Sequence, residues 1–270
     1  MRIHSSFTKA LAVSAVALMS LTACGGSDGG DEQSTSSAGG DDLGLVTAGT
    51  LTVCSDIPYK PFEYEENGEY TGFDMDMVGA IAEGMGLKLD VKDVGFDGLQ
   101  SGVVLASGQC DMGASAMTIT PEREKKLAFT DGYYDSEQSL LVPKGSDIKS
   151  IDDLAGKKVG VQQGTTGEKY TRENAPEDAK IKAYPSDAEL FPAVQSRGVD
   201  AVLQDLPVNL EHTQGGKFDI VAKYKTDEQY GFAVKKDGGE ALLKELDAQL
   251  AELKDNGKYD ELYDKYFSTK

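Results

Sequence analysis

Ala114-Ser115-Ala116-Met117-Thr118-Ile119-Thr120-Pro121-Glu122-Arg123 brings hydroxyls, backbone amides and one guanidinium together in a short span. Such a set suits a small carboxylate: amides at a helix N-terminus favour an anion, and a guanidinium grips both carboxylate oxygens through paired charge-assisted hydrogen bonds. Thr120 suits an N-cap, Pro121 the first turn, and Glu122 to Lys126 are good helix formers, so the pattern predicts a helix starting near Thr120 with Arg123 one turn in. On its own the segment also describes a capped surface helix with a solvated arginine. Other chemistry is thinly supplied. The two histidines are His4 and His212, and neither metal-ligand spacing nor a nucleophile and base surrounds them, so no metal, cofactor or catalytic residue is expected.

The elements that must position Arg123 follow from periodicity. Short apolar runs rich in branched residues alternate with helical patterns, which predicts an α/β fold with mostly parallel sheets. Candidate strands are Leu51 to Cys54, Lys88 to Lys92, Met112 to Ser115, Ser139 to Pro143, Lys158 to Gln162 and Ala201 to Gln204, and Asp74 to Met85 reads as an amphipathic helix whose methionines belong to the core. Leu105 to Ala116 aligns with Val194 to Asp205, each reading helix end, glycine turn, aspartate, short strand and polar tip. That spacing suits repetition of a lobe. The strands opening each lobe also match: Leu51 to Cys54 leads to Ser55-Asp56-Ile57-Pro58-Tyr59, and Lys158 to Val161 leads to Gln162-Gln163-Gly164-Thr165-Thr166. Ligands of open α/β sheets lie beyond the carboxyl ends of the strands, so four tips would converge between facing lobes. Arg123 and Thr118 would then serve a carboxylate, Asp205 a cation, and Gly164-Thr165-Thr166 a second helix N-terminus. A molecule with both an α-carboxylate and an α-ammonium fits that pattern.

Composition narrows the partners. A formal net charge of −19 argues against nucleic acid or an anionic lipid surface. Residues 1–23 read as a signal segment, with Arg2 and Lys9 before an apolar run, Ala10 to Leu21, that is too short to span a bilayer. Leu21-Thr22-Ala23-Cys24 resembles the lipobox of bacterial lipoproteins, which implies a lipid on Cys24 anchoring the chain to the outer side of the cell membrane. Residues 24–42, rich in Gly, Ser and Asp, would be a flexible tether reaching about 5–6 Å × √n for n residues. The rest divides into a first lobe, 43–136 with 228–270, and a second, 137–227, the chain crossing twice through a hinge. Cys54 and Cys110 permit a disulfide in an oxidising compartment without requiring one.

The chain resembles the polar amino-acid-binding members of the solute-binding proteins of bacterial ABC importers, the group with histidine-, lysine/arginine/ornithine- and glutamine-binding proteins. The matching motifs include Asp56-Ile57-Pro58-Tyr59-Lys60-Pro61-Phe62-Glu63, Gly72-Phe73-Asp74-Met75-Asp76, Phe96-Asp97-Gly98-Leu99, Met117 to Arg123, Phe129 to Tyr134, Gly156 to Thr166 and Asp200 to Asp205, and they cover essentially 43–270. The resemblance implies a two-lobed periplasmic-binding-protein-like (type II) fold with a two-strand hinge and a central ligand cleft. It implies that Arg123 and Thr118, helped by backbone near Ala116 and by Thr166, hold the ligand α-carboxylate, and that Asp205 with the Ser115–Ala116 backbone holds the α-ammonium. Tyr59 and Phe96 would sandwich the side chain and Asp56 would meet its polar end. Gln162 stands at a variable specificity position, and Ala116 replaces a hydroxyl carried by some basic-amino-acid binders, so the particular amino acid stays open. Asp74 and Asp76 are expected to cap the following helix. The implied function is capture of a polar amino acid by a tethered monomer that delivers it to an ABC permease. A cyclohexadienyl-dehydratase-like enzyme and a ligand-sensing module are the alternatives on this fold.

Overall fold

The computed structural model describes residues 43–268; the signal segment, Cys24 and the tether lie outside the described residues. The chain opens with β1 (Thr50–Ser55), whose near-continuous burial suits a central strand covered on both faces. β2 (Tyr64–Glu66) and β3 (Glu69–Thr71) form a hairpin around Asn67 and Gly68, both at positive φ. α1 (Phe73–Gly84) begins after Gly72, at φ 124°, where a Cβ would stand 2.2 Å from the Phe62 carbonyl oxygen. There follow β4 (Lys88–Asp93), the short helices α2 (Phe96–Gln100) and α3 (Val103–Ala106), β5 (Met112–Gly113), β6 (Leu127–Phe129) and the long β7 (Tyr134–Pro143). A second run comprises β8 (Lys158–Gln162), α4 (Thr166–Asn174), β9 (Lys180–Tyr184), α5 (Asp187–Gln195), β10 (Ala201–Asp205), α6 (Leu206–Thr213) and the long β11 (Phe218–Tyr230). β12 (Ala233–Lys235), α7 (Glu240–Asp255) and α8 (Lys258–Phe267) end the chain.

Two five-stranded sheets result, ordered β4-β1-β5-β12-β6 and β9-β8-β10-β7-β11. Each has a parallel half, β4-β1-β5 or β9-β8-β10, and an antiparallel half. The expectation of mostly parallel sheets is therefore corrected to mixed sheets. The antiparallel halves come from strands that return from elsewhere in the chain, β12 in one sheet and β7 with β11 in the other, which local periodicity does not reveal.

The internal repeat is visible as topology, since β1 and β8, and β5 and β10, occupy equivalent places. Its aligned aspartates do equivalent work. Asp111 accepts the N–H of Thr52 at 2.7 Å and of Val46 at 2.6 Å, and Asp200 accepts that of Lys158 at 2.8 Å, so each fastens the opening strand of its lobe.

In the first lobe one sheet face buries Leu51, Val53, Met112 and Val234 against α1, α7 and α8, and the other buries Leu99, Leu105 and Leu127. Leu242, Leu246, Leu250 and Leu253 line the inner stripe of α7 at helical spacing, each contributing about 1.5–3 kcal/mol by leaving water. Cys54 and Cys110 are joined by a disulfide, with Cα atoms 5.8 Å apart, inside the second of these clusters. The second lobe buries Val142, Val159, Val161 and Leu203 on one face and Leu141, Val202, Leu190 and Val194 on the other.

Two local expectations are overturned. Residues 121–126 are consecutive turns, not a helix. Thr120 Oγ1 does accept the Arg123 N–H at 3.2 Å, as an N-cap would, but the Lys126 and Leu127 N–H groups both fold back onto the Arg123 carbonyl and the chain enters β6 directly. Asp74 and Asp76 do not cap α1. Asp74 Oδ2 accepts the Ala116 N–H at 2.9 Å and the Tyr133 hydroxyl at 2.7 Å, while Asp76 Oδ2 accepts from Lys265 and Tyr266, both at 2.6 Å.

Candidate functional site

The carboxyl ends of β1, β5, β8 and β10 meet between the two lobes around a narrow pocket. Asp56 and Tyr59 reach it from beyond β1, Phe96 from the start of α2, Ser115, Ala116 and Thr118 from beyond β5, and Arg123 from the turn before β6. From the second lobe come Gln162 at the end of β8, Thr165 and Thr166 at the start of α4, and Asp205 at the end of β10. Of the residues singled out in the sequence, only Gly164 is not in the lining, and its carbonyl accepts from Arg123 Nη2 at 3.1 Å.

Arg123 is 5% exposed, and its guanidinium lies 5.1 Å from the Phe96 ring centroid. Nη1 donates to the Thr118 carbonyl at 2.7 Å. Burial draws the guanidinium down to about 10 while Asp205 and Glu228 pull it up, so it is a cation at neutral pH. Among the described residues no carboxylate lies within ion-pair distance of it. Two of its five N–H donors go to carbonyls, which leaves a buried positive charge with donors to spare.

Asp205 is the counterpart on the other lobe. It is 6% exposed and receives Gln138 Nε2 at 2.5 Å and the hydroxyls of Tyr59 at 3.0 Å and Tyr230 at 2.5 Å, with no cation. Burial and then Glu228 push its carboxyl up to about 6 against those three bonds. Asp56, at the β1 tip, accepts Gln162 Nε2 at 2.5 Å across the cleft, and burial, reinforced by Asp93 and Asp187, pushes it up to about 7 despite that bond. The site thus holds one cation and two carboxylates, all withdrawn from water and none neutralised by an ion partner.

Some side chains face differently from the sequence expectation. The hydroxyls of Thr118 and Thr166 both donate to Glu228 Oε2 at 2.8 Å. What Thr166 still offers an anion is its backbone N–H in the first turn of α4, where Thr165 caps the helix by accepting the Glu168 N–H at 3.1 Å. The Ala116 N–H is taken by Asp74, and Ala116 sits at φ 44°, a left-handed conformation that costs a non-glycine residue about 1–2 kcal/mol.

Glu228, Gln138 and Tyr230 escaped sequence reasoning. Gln138 Nε2 also donates to Glu228 at 3.1 Å, so the two long strands contribute a polar bridge beneath the cavity. The available signal was parity: Glu228 is two residues from Tyr230 on the inward side of β11, and Gln229 between them is exposed. His212 stacks on Phe191 at 3.6 Å and bonds to Asp187 at 3.0 Å, away from the lining. Among the described residues no cluster of three or more His, Cys, Asp or Glu could hold a metal ion.

Known proteins resemble this chain in sequence and fold. The family model of bacterial extracellular solute-binding proteins, family 3, matches residues 51–269. The glutamine-binding protein GlnH of an ABC transporter in Bacillus subtilis (strain 168) is 36% identical over 262 residues, covering 94% of each chain. An ancestral arginine-binding protein bound to glutamine superposes with a TM-score of 0.77 at 39% identity, covering 83% of this chain and all of that one. An ancestral amino acid-binding protein, described as a precursor of cyclohexadienyl dehydratase, gives 0.76 at 40% identity, covering 82% and 96%. The chain belongs to the bacterial extracellular solute-binding proteins, family 3.

Proposed function

We propose that this protein captures a polar amino acid outside the cytoplasm and delivers it to the permease of an ABC importer. The observation that carries the reading is the pair of unneutralised buried charges, Arg123 on one lobe and Asp205 on the other, lining one pocket. A zwitterion supplies both missing partners at once. Its α-carboxylate takes the spare donors of Arg123 and the Thr166 N–H; its α-ammonium takes Asp205 and backbone carbonyl in the Ser115–Ala116 turn. Tyr59 and Phe96 flank the side chain, whose polar end meets Asp56 and Gln162. The relatives named for glutamine and arginine support an end rich in hydrogen-bond donors.

Residues from both lobes line the site, so ligand free energy favours the closed arrangement, and a closed binding protein is the form a permease can recognise. We place the lobe boundaries at the crossings near 137–139 and 224–227. β7 and β11 pair along both lobes there, and the register shifts between Tyr224 and Glu228, with Asp227 at φ 51°. Two strands with one irregular ladder make a hinge. Delivery requires no chemistry on the ligand, and lipidation of Cys24 would keep a monomeric protein beside the permease.

A thermal-shift screen against all amino acids tests the reading. The true ligand at 100 times its Kd adds about 2.7 kcal/mol to stability. No shift with any amino acid refutes capture, and turnover of prephenate or arogenate would replace it with the dehydratase. Metabolic labelling with palmitate, lost in Cys24→Ser, tests the anchor.

A further inference from the structure

Glu63 and Asp74 are both fully buried, and both fasten the turn that the functional reading assigns to the ammonium. Glu63 Oε1 accepts the Ser115 hydroxyl at 2.9 Å, and the same hydroxyl oxygen accepts the Asp56 N–H at 3.1 Å. Asp74 Oδ2 accepts the N–H of Ala116, the residue held at φ 44°, and the Tyr133 hydroxyl. The other oxygen of each, Glu63 Oε2 and Asp74 Oδ1, is buried without a partner. Two orphaned buried carboxyl oxygens, on side chains that fasten the adjacent residues Ser115 and Ala116, would cost several kcal/mol. A single proton held between the two side chains would make one orphan a hydroxyl donor and the other its acceptor.

We propose that Glu63 and Asp74 share one proton and, as that singly charged pair, act as positioning residues that set the Ser115–Ala116 turn for the ligand ammonium; this rests on the functional reading above. The surroundings favour holding the proton. The titratable groups facing the pair are Asp56, Asp205, Tyr59 and Tyr133, with Tyr259 beyond Tyr133, and none is a cation. Burial raises both carboxyls, Asp74 to about 7 and Glu63 well above its ordinary range, with Asp74 itself the next largest influence on Glu63. One negative charge is left behind the turn, where it adds to the pull of Asp205 on an ammonium. Loss of the last proton would set two carboxylates against each other and release Ala116 from its strained conformation.

The test combines a carboxyl titration with calorimetry on the full chain. Carbon-13 NMR of protein labelled at Glu and Asp side-chain carboxyls, assigned with Glu63→Gln and Asp74→Asn, should show one protonated carboxyl of the pair at neutral pH. Ligand affinity should fall on the alkaline side as that proton leaves. Glu63→Gln keeps the acceptor for Ser115 and donates permanently to Asp74, so it should bind within about threefold of the original protein at neutral pH and lose the alkaline fall. Glu63→Leu, which strands the Ser115 hydroxyl, should weaken binding at least about tenfold. A fully ionised pair at neutral pH, or an unchanged alkaline fall in Glu63→Gln, overturns the proposal. Should the original protein bind no amino acid, the functional reading fails, and its own NMR titration still decides the shared proton.

Discussion

Arg123→Ala is the sharpest perturbation available. The guanidinium has two N–H groups on carbonyls and no carboxylate partner among the described residues, so on the proposed reading its remaining donors seat the ligand carboxylate. Two hydrogen bonds between charged partners contribute about 1.5–3 kcal/mol each, together about 3–6 kcal/mol, or about 10²–10⁴ in Kd. The Thr166 N–H still serves the carboxylate in the variant, which points to the lower end, about a hundredfold. Stability should change less than affinity, because removing a buried cation also removes its desolvation cost, the same cost that lowers the Arg123 pKa. A hundredfold loss is about 2.7 kcal/mol of linkage, so at fixed ligand concentration the ligand-induced rise in Tm should shrink by about 5–11 °C while the ligand-free Tm moves little. Isothermal titration calorimetry with the amino acid identified by thermal shift measures the affinity directly. Arg123→Lys, which keeps the charge and loses the planar fork, should fall between the two. A folded Arg123→Ala protein that binds within about threefold of the original would refute the carboxylate assignment.

The remaining predictions concern protons and the disulfide. Asp205, raised to about 6, must be ionised to meet the ammonium, so affinity should fall by up to about tenfold per pH unit below that value, with proton release visible as a buffer-dependent binding enthalpy; affinity that rises on acidification contradicts the assignment. Asp56, raised to about 7, adds a second fall starting nearer neutrality for a cationic side chain and none for an amide, so the affinity ratio of arginine to glutamine should drop on acidification and the drop should vanish in Asp56→Asn. Without ligand, Asp56, Asp74 and Asp205 bind protons more tightly folded than unfolded, so their contribution is fully present below about 4 and is lost as pH rises to about 7; urea unfolding across that window should show the decline. Cys54 and Cys110 lie 56 residues apart, so their bond contributes about 4 kcal/mol through the unfolded chain; Cys54→Ala/Cys110→Ala should lower Tm by roughly 8–16 °C in calorimetry with affinity retained.

The legible part of this molecule was the part written locally. Strand tips at Asp56, Ser115, Gln162 and Asp205 follow from apolar runs ending in polar residues, and the lobe repeat carries its aspartates, Asp111 and Asp200, to equivalent jobs. The hairpin at Asn67-Gly68 was equally local, a sequence signal for a tight turn that passed unread. What stayed hidden depended on distant partners. Good helix formers after Thr120 yield turns because β6 follows at once and must pair with β12, more than 100 residues further on. Asp74 looks like a helix cap and is instead recruited by Ala116 and Tyr133. Glu228 and Gln138 lie on different long strands, and nothing near either residue announces that pairing β7 with β11 will set them under the cavity.

The direction of the site's proton affinities says why a ligand should govern closure. Asp56 and Asp205 are raised and Arg123 is lowered, in every case first by burial, so all three charges sit farther from water than their ionised forms prefer. Bonds across the cleft, Tyr59 to Asp205, Gln162 to Asp56 and Arg123 to the Gly164 carbonyl, recover part of that cost with neutral partners. Neutral partners cannot recover it all, because each buried charge still lacks its opposite. An amino acid brings an ammonium and a carboxylate in fixed relation, and with the right side chain a third complementary group. It therefore turns the least favourable feature of the closed cleft into its most favourable one. On the proposed reading, the differential affinity for closed over open arises at the same atoms that recognise the ligand, which is the condition for binding to shift the equilibrium between the two forms.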